Sequence, residues 1–78
     1  MSIPAIPSDW IQNTNTYSKP GYVVSCLCIR PSDNIAFTHM VQTAIVMNGD
    51  WIYQTTMYYT SLATAQASLM KRGVGVYV

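Results

Sequence analysis

The sequence contains no glutamate, and its only acidic side chains are Asp9, Asp33 and Asp50. Lys19, Arg30, Lys71 and Arg72 are the only permanent cations. Charged residues make up 9 % of the 78 residues, against roughly 25 % in an average soluble domain. Acid–base or hydrolytic chemistry needs a positioned pair of titratable groups. Asp33, Asp50 and His39, the only histidine, are the candidates. His39 and Asp50 fall at a strand start and a turn, and turn capping accounts for Asp33. No nucleophile elbow or Gly-rich phosphate loop is present. The chain is expected not to be an enzyme and to carry no cofactor. A net charge of +1 cannot neutralise a polymeric phosphate backbone, which argues against nucleic acid.

Cysteine is equally sparse. Cys26 and Cys28 stand two apart in Cys-Leu-Cys. Along one strand that spacing is nearly 7 Å, with the Cβ vectors parallel. A disulfide is disfavoured there, and free thiols suit a reducing compartment. One histidine and one such pair do not make a metal site. No apolar run approaches the roughly 18 residues of a membrane span, and the first residues lack the basic and apolar regions of a signal peptide. These readings predict a cytoplasmic protein without a membrane partner.

What is present reads as a small α+β protein in two parts. Residues 1–20 form an extended N-terminal arm: Pro4 and Pro7 hold their predecessors extended, Ser8 can cap one helical turn, and Trp10 and Ile11 need something to dock on. Residues 21–78 form a single α+β domain. Its first strand is 22–29, rich in β-branched and aromatic residues, and Arg30–Asn34 breaks it. Asn48-Gly49, between the runs 37–47 and 51–59, is the strongest short-range hairpin signal. A two-residue turn there sets Val46 against Trp51, Ala44 against Tyr53, Gln42 against Thr55 and Met40 against Met57. The other face then carries Ile45 with Ile52 and His39 with Tyr58. A longer loop including Asp50 would shift this register.

Thr60-Ser61 caps a helix through about Lys71, with Leu62, Ala65, Leu69 and Met70 on one stripe. Lys71 and Arg72 suit its last turn and Gly73 its end. Val74–Val78 reads as a final strand, returning parallel to its predecessor by a right-handed crossover. The order is β-β-β-α-β, with one helix on one face of a mainly antiparallel sheet.

Such a sheet has two apolar faces and only one helix. The uncovered one is expected around Trp51, Tyr53, Met57 and Tyr59, or failing that around Ile45, Ile52 and Tyr58. Apolar patches of that size mark protein contacts, and Tyr and Trp favour interfaces. The binding candidates are Trp51, Tyr53, Tyr58, Tyr59, Trp10, Arg30, His39 and Arg72. The expected partners are a second copy, in a homodimer or larger oligomer, and another protein that the chain occupies as an inhibitor or adaptor. The alternative is a small, nucleotide-like ligand in an aromatic pocket between subunits, with Arg30, Arg72 or His39 holding its anion. In size, and in using Ser, Thr, Asn and Gln where charge is usual, the chain resembles phage accessory proteins, many of which block host enzymes or defence systems. That resemblance implies a viral protein in the host cytoplasm, acting in defence evasion.

Overall fold

The computed structural model describes residues 4–14 and 25–73. It is α+β: a four-stranded antiparallel sheet with one helix packed on it. The elements are β1 (Gln12–Asn13), β2 (Ser25–Pro31), β3 (His39–Met47), β4 (Asp50–Tyr59) and α1 (Leu62–Gly73). The strands lie side by side in chain order. Residues 22–24 of the expected first strand and the expected final strand Val74–Val78, with its parallel return, lie outside the described residues.

Asn48 and Gly49 both adopt positive φ, 53° and 80°, as the tight turn joining two right-twisted strands requires. The turn sets Met47 against Asp50, Val46 against Trp51, Ile45 against Ile52 and Ala44 against Tyr53. The expected register holds to this point and then slips by one. Gln42 lies opposite Thr56, Val41 opposite Met57, Met40 opposite Tyr58 and His39 opposite Tyr59. Thr43 therefore faces two residues of β4, Gln54 and Thr55. This is a β-bulge, which inserts one residue and inverts the alternation beyond it. Met57 and Tyr59 consequently share a side with Ile52, and Trp51 and Tyr53 share the other with Tyr58.

The helix covers the first of these sides. Ser61 caps it, accepting the Thr64 N–H on its hydroxyl (3.3 Å) and the Ala65 N–H on its carbonyl (3.2 Å). Leu62, Ala65 and Leu69 pack on Leu27, Ile29, Val41 and Tyr59. Met70 was expected on this stripe but is 69 % exposed, because it follows Leu69 by about 100° around the helix. The helix lies over β2 and β3 more than over β4. Met47, Ile52 and Met57 on that side remain 49 %, 42 % and 50 % exposed.

Two local readings change. Arg30 and Pro31 continue β2 instead of breaking it, opposite Met40 and His39; Pro31 ends the strand, where the lack of an N–H is tolerated. The loop beyond is closed by Ser32, whose hydroxyl accepts the Asn34 N–H, and by Asn34, whose side chain accepts the Ala36 N–H. Asn34, not Asp33, makes the Asx turn.

Gly49 has open space around a built Cβ, so alanine there is opposed by the backbone alone. Gly49→Ala is expected to cost about 1 kcal/mol in denaturant unfolding. An unchanged midpoint would mean that the turn does not require its positive φ.

Candidate functional site

The arm closes the second side of the sheet. A turn at Pro7–Trp10, joined by the Trp10 N–H to the Pro7 carbonyl at 3.2 Å, replaces the expected helical turn. The arm then pairs with β2 by backbone bonds, from the Ile11 N–H to the Ile29 carbonyl and from the Thr14 N–H to the Leu27 carbonyl, both 2.8 Å. The Leu27 N–H in turn donates to the Thr14 hydroxyl at 2.9 Å. The arm residues Gln12–Asn13 thereby become the edge strand β1, and the Gln66 amide of α1 donates to the Gln12 side chain at 2.9 Å.

Trp10 is buried against Cys26, Cys28 and Ala44, with Trp51 and Tyr53 alongside. Its ring lies 4.9 Å from that of Trp51 and 6.4 Å from that of Tyr53. Its indole N–H donates to the Tyr53 hydroxyl at 3.0 Å, and the Trp51 indole donates to the Ala5 carbonyl at 3.2 Å. Both polar ends of the aromatic cluster are thus satisfied, as buried tryptophan and tyrosine require.

Arg30 ties the arm to three strands. Its Nε and Nη2 reach Asp9 at 2.8 and 2.7 Å. Its Nη1 donates to the Gln42 side chain at 2.6 Å, and its guanidinium lies 4.2 Å over the Tyr53 ring. Gln42 passes the line on by donating to the Thr56 hydroxyl at 2.9 Å. Burial disfavours the Arg30 charge, but the Asp9 hydrogen bond and the surrounding groups outweigh this and raise its pKa. The ion pair is partly open to water and contributes about 1 kcal/mol or less; its planar fork chiefly fixes geometry.

The expected binding residues therefore divide. Trp10, Trp51, Tyr53 and Arg30 form one cluster, and it is a seal made by the chain itself. The expectation that this aromatic side lies open, with Trp10 joining a contact to a second copy, is corrected: the arm fills it. Tyr58 lies further along β4 on the same side, stacked 5.2 Å from Phe37, with its hydroxyl donating to Asp33 at 2.7 Å. That bond to the carboxylate raises the Tyr58 pKa.

Tyr59 lies on the helix side, its hydroxyl donating to Ser68 at 2.6 Å; the bulge separates it from Trp51 and Tyr53. His39 also lies on the helix side, its Nδ1 2.7 Å from the Thr38 hydroxyl. Arg72 is in the last turn of α1, about 15 Å along the axis from the helix start. Arg30, His39 and Arg72 do not converge on one anion. Among the described residues no group of three His, Cys, Asp or Glu side chains could hold a metal. No described helix is long and apolar enough to cross a membrane.

The outer edge of β4 is where the sequence places the final strand Val74–Val78, which lies outside the described residues. Among the described residues β4 pairs only with β3, leaving ten residues with one edge unpaired. Asp50 is the only charge on that strand, and it holds no proline. Edge strands are usually blunted by lysine, proline, a β-bulge or cover, and of these β4 carries only the bulge among the described residues. The sequence signal of this edge is a hairpin strand without a charge after its first residue. No family model, curated protein or solved structure matches the chain.

Two measurements test the sealed side. Trp10→Ala is expected to lower stability by about 3 kcal/mol and to shift Trp51 emission to the red; a loss below about 0.5 kcal/mol, within the range of an ordinary surface change, would mean that the arm does not seat. The thiols under Trp10 are free and buried, and burial pushes Cys26 up to about 11 and Cys28 to about 12. A thiol raised in the folded state stabilises it below the unfolded value of 9.0 and loses that contribution as pH rises through 11–12. Iodoacetamide at pH 8 should label both cysteines only in denaturant. Between pH 9 and 11 the Cys26→Ala/Cys28→Ala protein should lose less stability than the parent. Native labelling at the rate of a free thiol would contradict the burial.

Proposed function

We propose that the protein is a non-catalytic binding protein that occupies another polypeptide by adding that partner's strand to β4. The carrying observation is the β4 edge: long, nearly free of charge and unpaired among the described residues. Main-chain hydrogen bonds supply affinity in strand addition, and alternate side chains supply specificity. Ile52 and Met57, about half-exposed on the helix side, offer the apolar contacts, and methionine adapts to varied surfaces. Trp51 and Tyr58 stand along the same strand on the arm side and flank the edge there.

This reading moves the contact from the aromatic side, which the arm fills, to the strand edge. It keeps the inhibitor or adaptor role suggested by size and by the scarcity of titratable groups. Buried free thiols suit a reducing compartment, and we place the action in the cytoplasm. The ligand reading loses its clamp, because Arg30 is engaged by Asp9, Gln42 and Tyr53.

The test compares capture by the parent protein, Ile52→Lys/Met57→Lys and the control Met70→Lys. All three positions are exposed, so stability should change by less than about 0.5 kcal/mol per site. Polypeptides retained by the parent and by Met70→Lys should be lost from the edge variant. Retention undiminished by the edge substitutions would overturn the proposal.

A further inference from the structure

Resting on that reading, we infer that the polypeptide seated on the β4 edge is a second copy of this chain, paired β4 to β4 about a two-fold axis between Gln54 and Thr55. The register of β4 favours this pairing. Directly opposed residues of an antiparallel pair point to the same side of the sheet. In a regular strand, an axis between two consecutive residues sets unlike sides against each other, because side chains alternate. The bulge removes that conflict. Asp50, Ile52, Gln54, Thr55, Met57 and Tyr59 share the helix side, with Thr55 placed there by its 2.8 Å contact with the Thr43 hydroxyl. Trp51, Tyr53, Thr56 and Tyr58 share the arm side.

Read outward from the bulge, β4 is therefore palindromic in its faces. Gln54 meets Thr55 of the second copy, Tyr53 meets Thr56, Ile52 meets Met57, Trp51 meets Tyr58 and Asp50 meets Tyr59. Centring the axis on Ile52 or on Met57 matches faces only over 50–54 or 55–59. The register that uses the whole strand also joins apolar to apolar on both sides, Ile52 with Met57 on the helix side and Trp51 with Tyr58 on the arm side. It brings no like charges together, since Asp50 faces a tyrosine. A two-fold contact of this kind is self-complementary and closed, and it leaves β4 no free edge. The helix, lying towards β2 and β3, stays clear of the approach.

The test uses the full chain. Sedimentation should give a concentration-dependent dimer. Under mild oxidation, Ile52→Cys/Met57→Cys should form disulfides between chains, and either single variant should form few. Within one chain these positions are roughly 15 Å apart along the strand, too far for a disulfide, and Cys26 and Cys28 are buried. Ile52→Lys/Met57→Lys opposes like charges at both symmetric contacts and should weaken the dimer at least 10-fold. Ile52→Lys/Met57→Asp opposes unlike charges and should recover most of that loss. A monomer at every concentration, equal cross-linking by the single variants, or a dimer indifferent to both charge pairs would overturn the inference. Dimerisation only after removal of 74–78 would overturn it too, assigning the edge to the chain's own end. A monomer that still captures polypeptides in a manner lost in Ile52→Lys/Met57→Lys would overturn the dimer and leave the strand-addition reading standing.

Discussion

Thr43 on β3 is opposed by two residues of β4, Gln54 and Thr55, and the distribution of side chains depends on that single insertion. Before it, alternation sends Trp51 and Tyr53 to the arm. Beyond it, Met57 and Tyr59 turn to the helix, where Tyr59 meets Ser68 and packs on the core. Without the extra residue Tyr59 would lie beside Trp51 and Tyr53, and the helix would lose its contact at the end of β4. The same insertion makes the outer edge of β4 symmetric in its faces, which is the basis for pairing it with itself.

The scarcity of charge is met by placement. One helix covers the β2 and β3 part of one side of the sheet, and the arm packs on the other. Arg30, one of four permanent cations, is placed where a planar fork can bind Asp9 and Gln42 while stacking on Tyr53. The Trp10 and Trp51 indoles find a hydroxyl and a carbonyl. Among the described residues the exposed large apolar side chains are spread over the arm, the loop after β2, the hairpin and the helix, and Met47, Ile52 and Met57 are the ones on the helix side of the hairpin. An uncharged edge next to an apolar margin invites another strand.

Local chemistry was legible in the sequence wherever one residue type decides it. Asn48-Gly49 announced a tight turn because both positions need positive φ, and Ser61 announced a helix start because its hydroxyl can accept an orphan N–H. The α+β class followed from these and from the stripe Leu62, Ala65, Leu69. The bulge was not legible: Gln54-Thr55-Thr56 is polar throughout, so no apolar alternation marks where the period breaks. Nor was β1, since Gln12-Asn13 carries no strand-like side chains and is held by backbone bonds and by Gln66. The candidate residues were found as types, with Trp10, Trp51, Tyr53 and Arg30 truly adjacent. Their role was misplaced, because sequence spacing does not tell an aromatic side sealed by its own arm from one left open.

Residue-resolved amide hydrogen exchange of the full chain, at low and high protein concentration, tests most directly whether the edge of β4 is the working surface. The account predicts that the β4 amides directed away from β3 exchange quickly in dilute solution and slow progressively as concentration rises, while the amides of β1 and β2 keep the same protection. Concentration-independent exchange along β4, or protection that grows instead over the arm and its tryptophans, would contradict it.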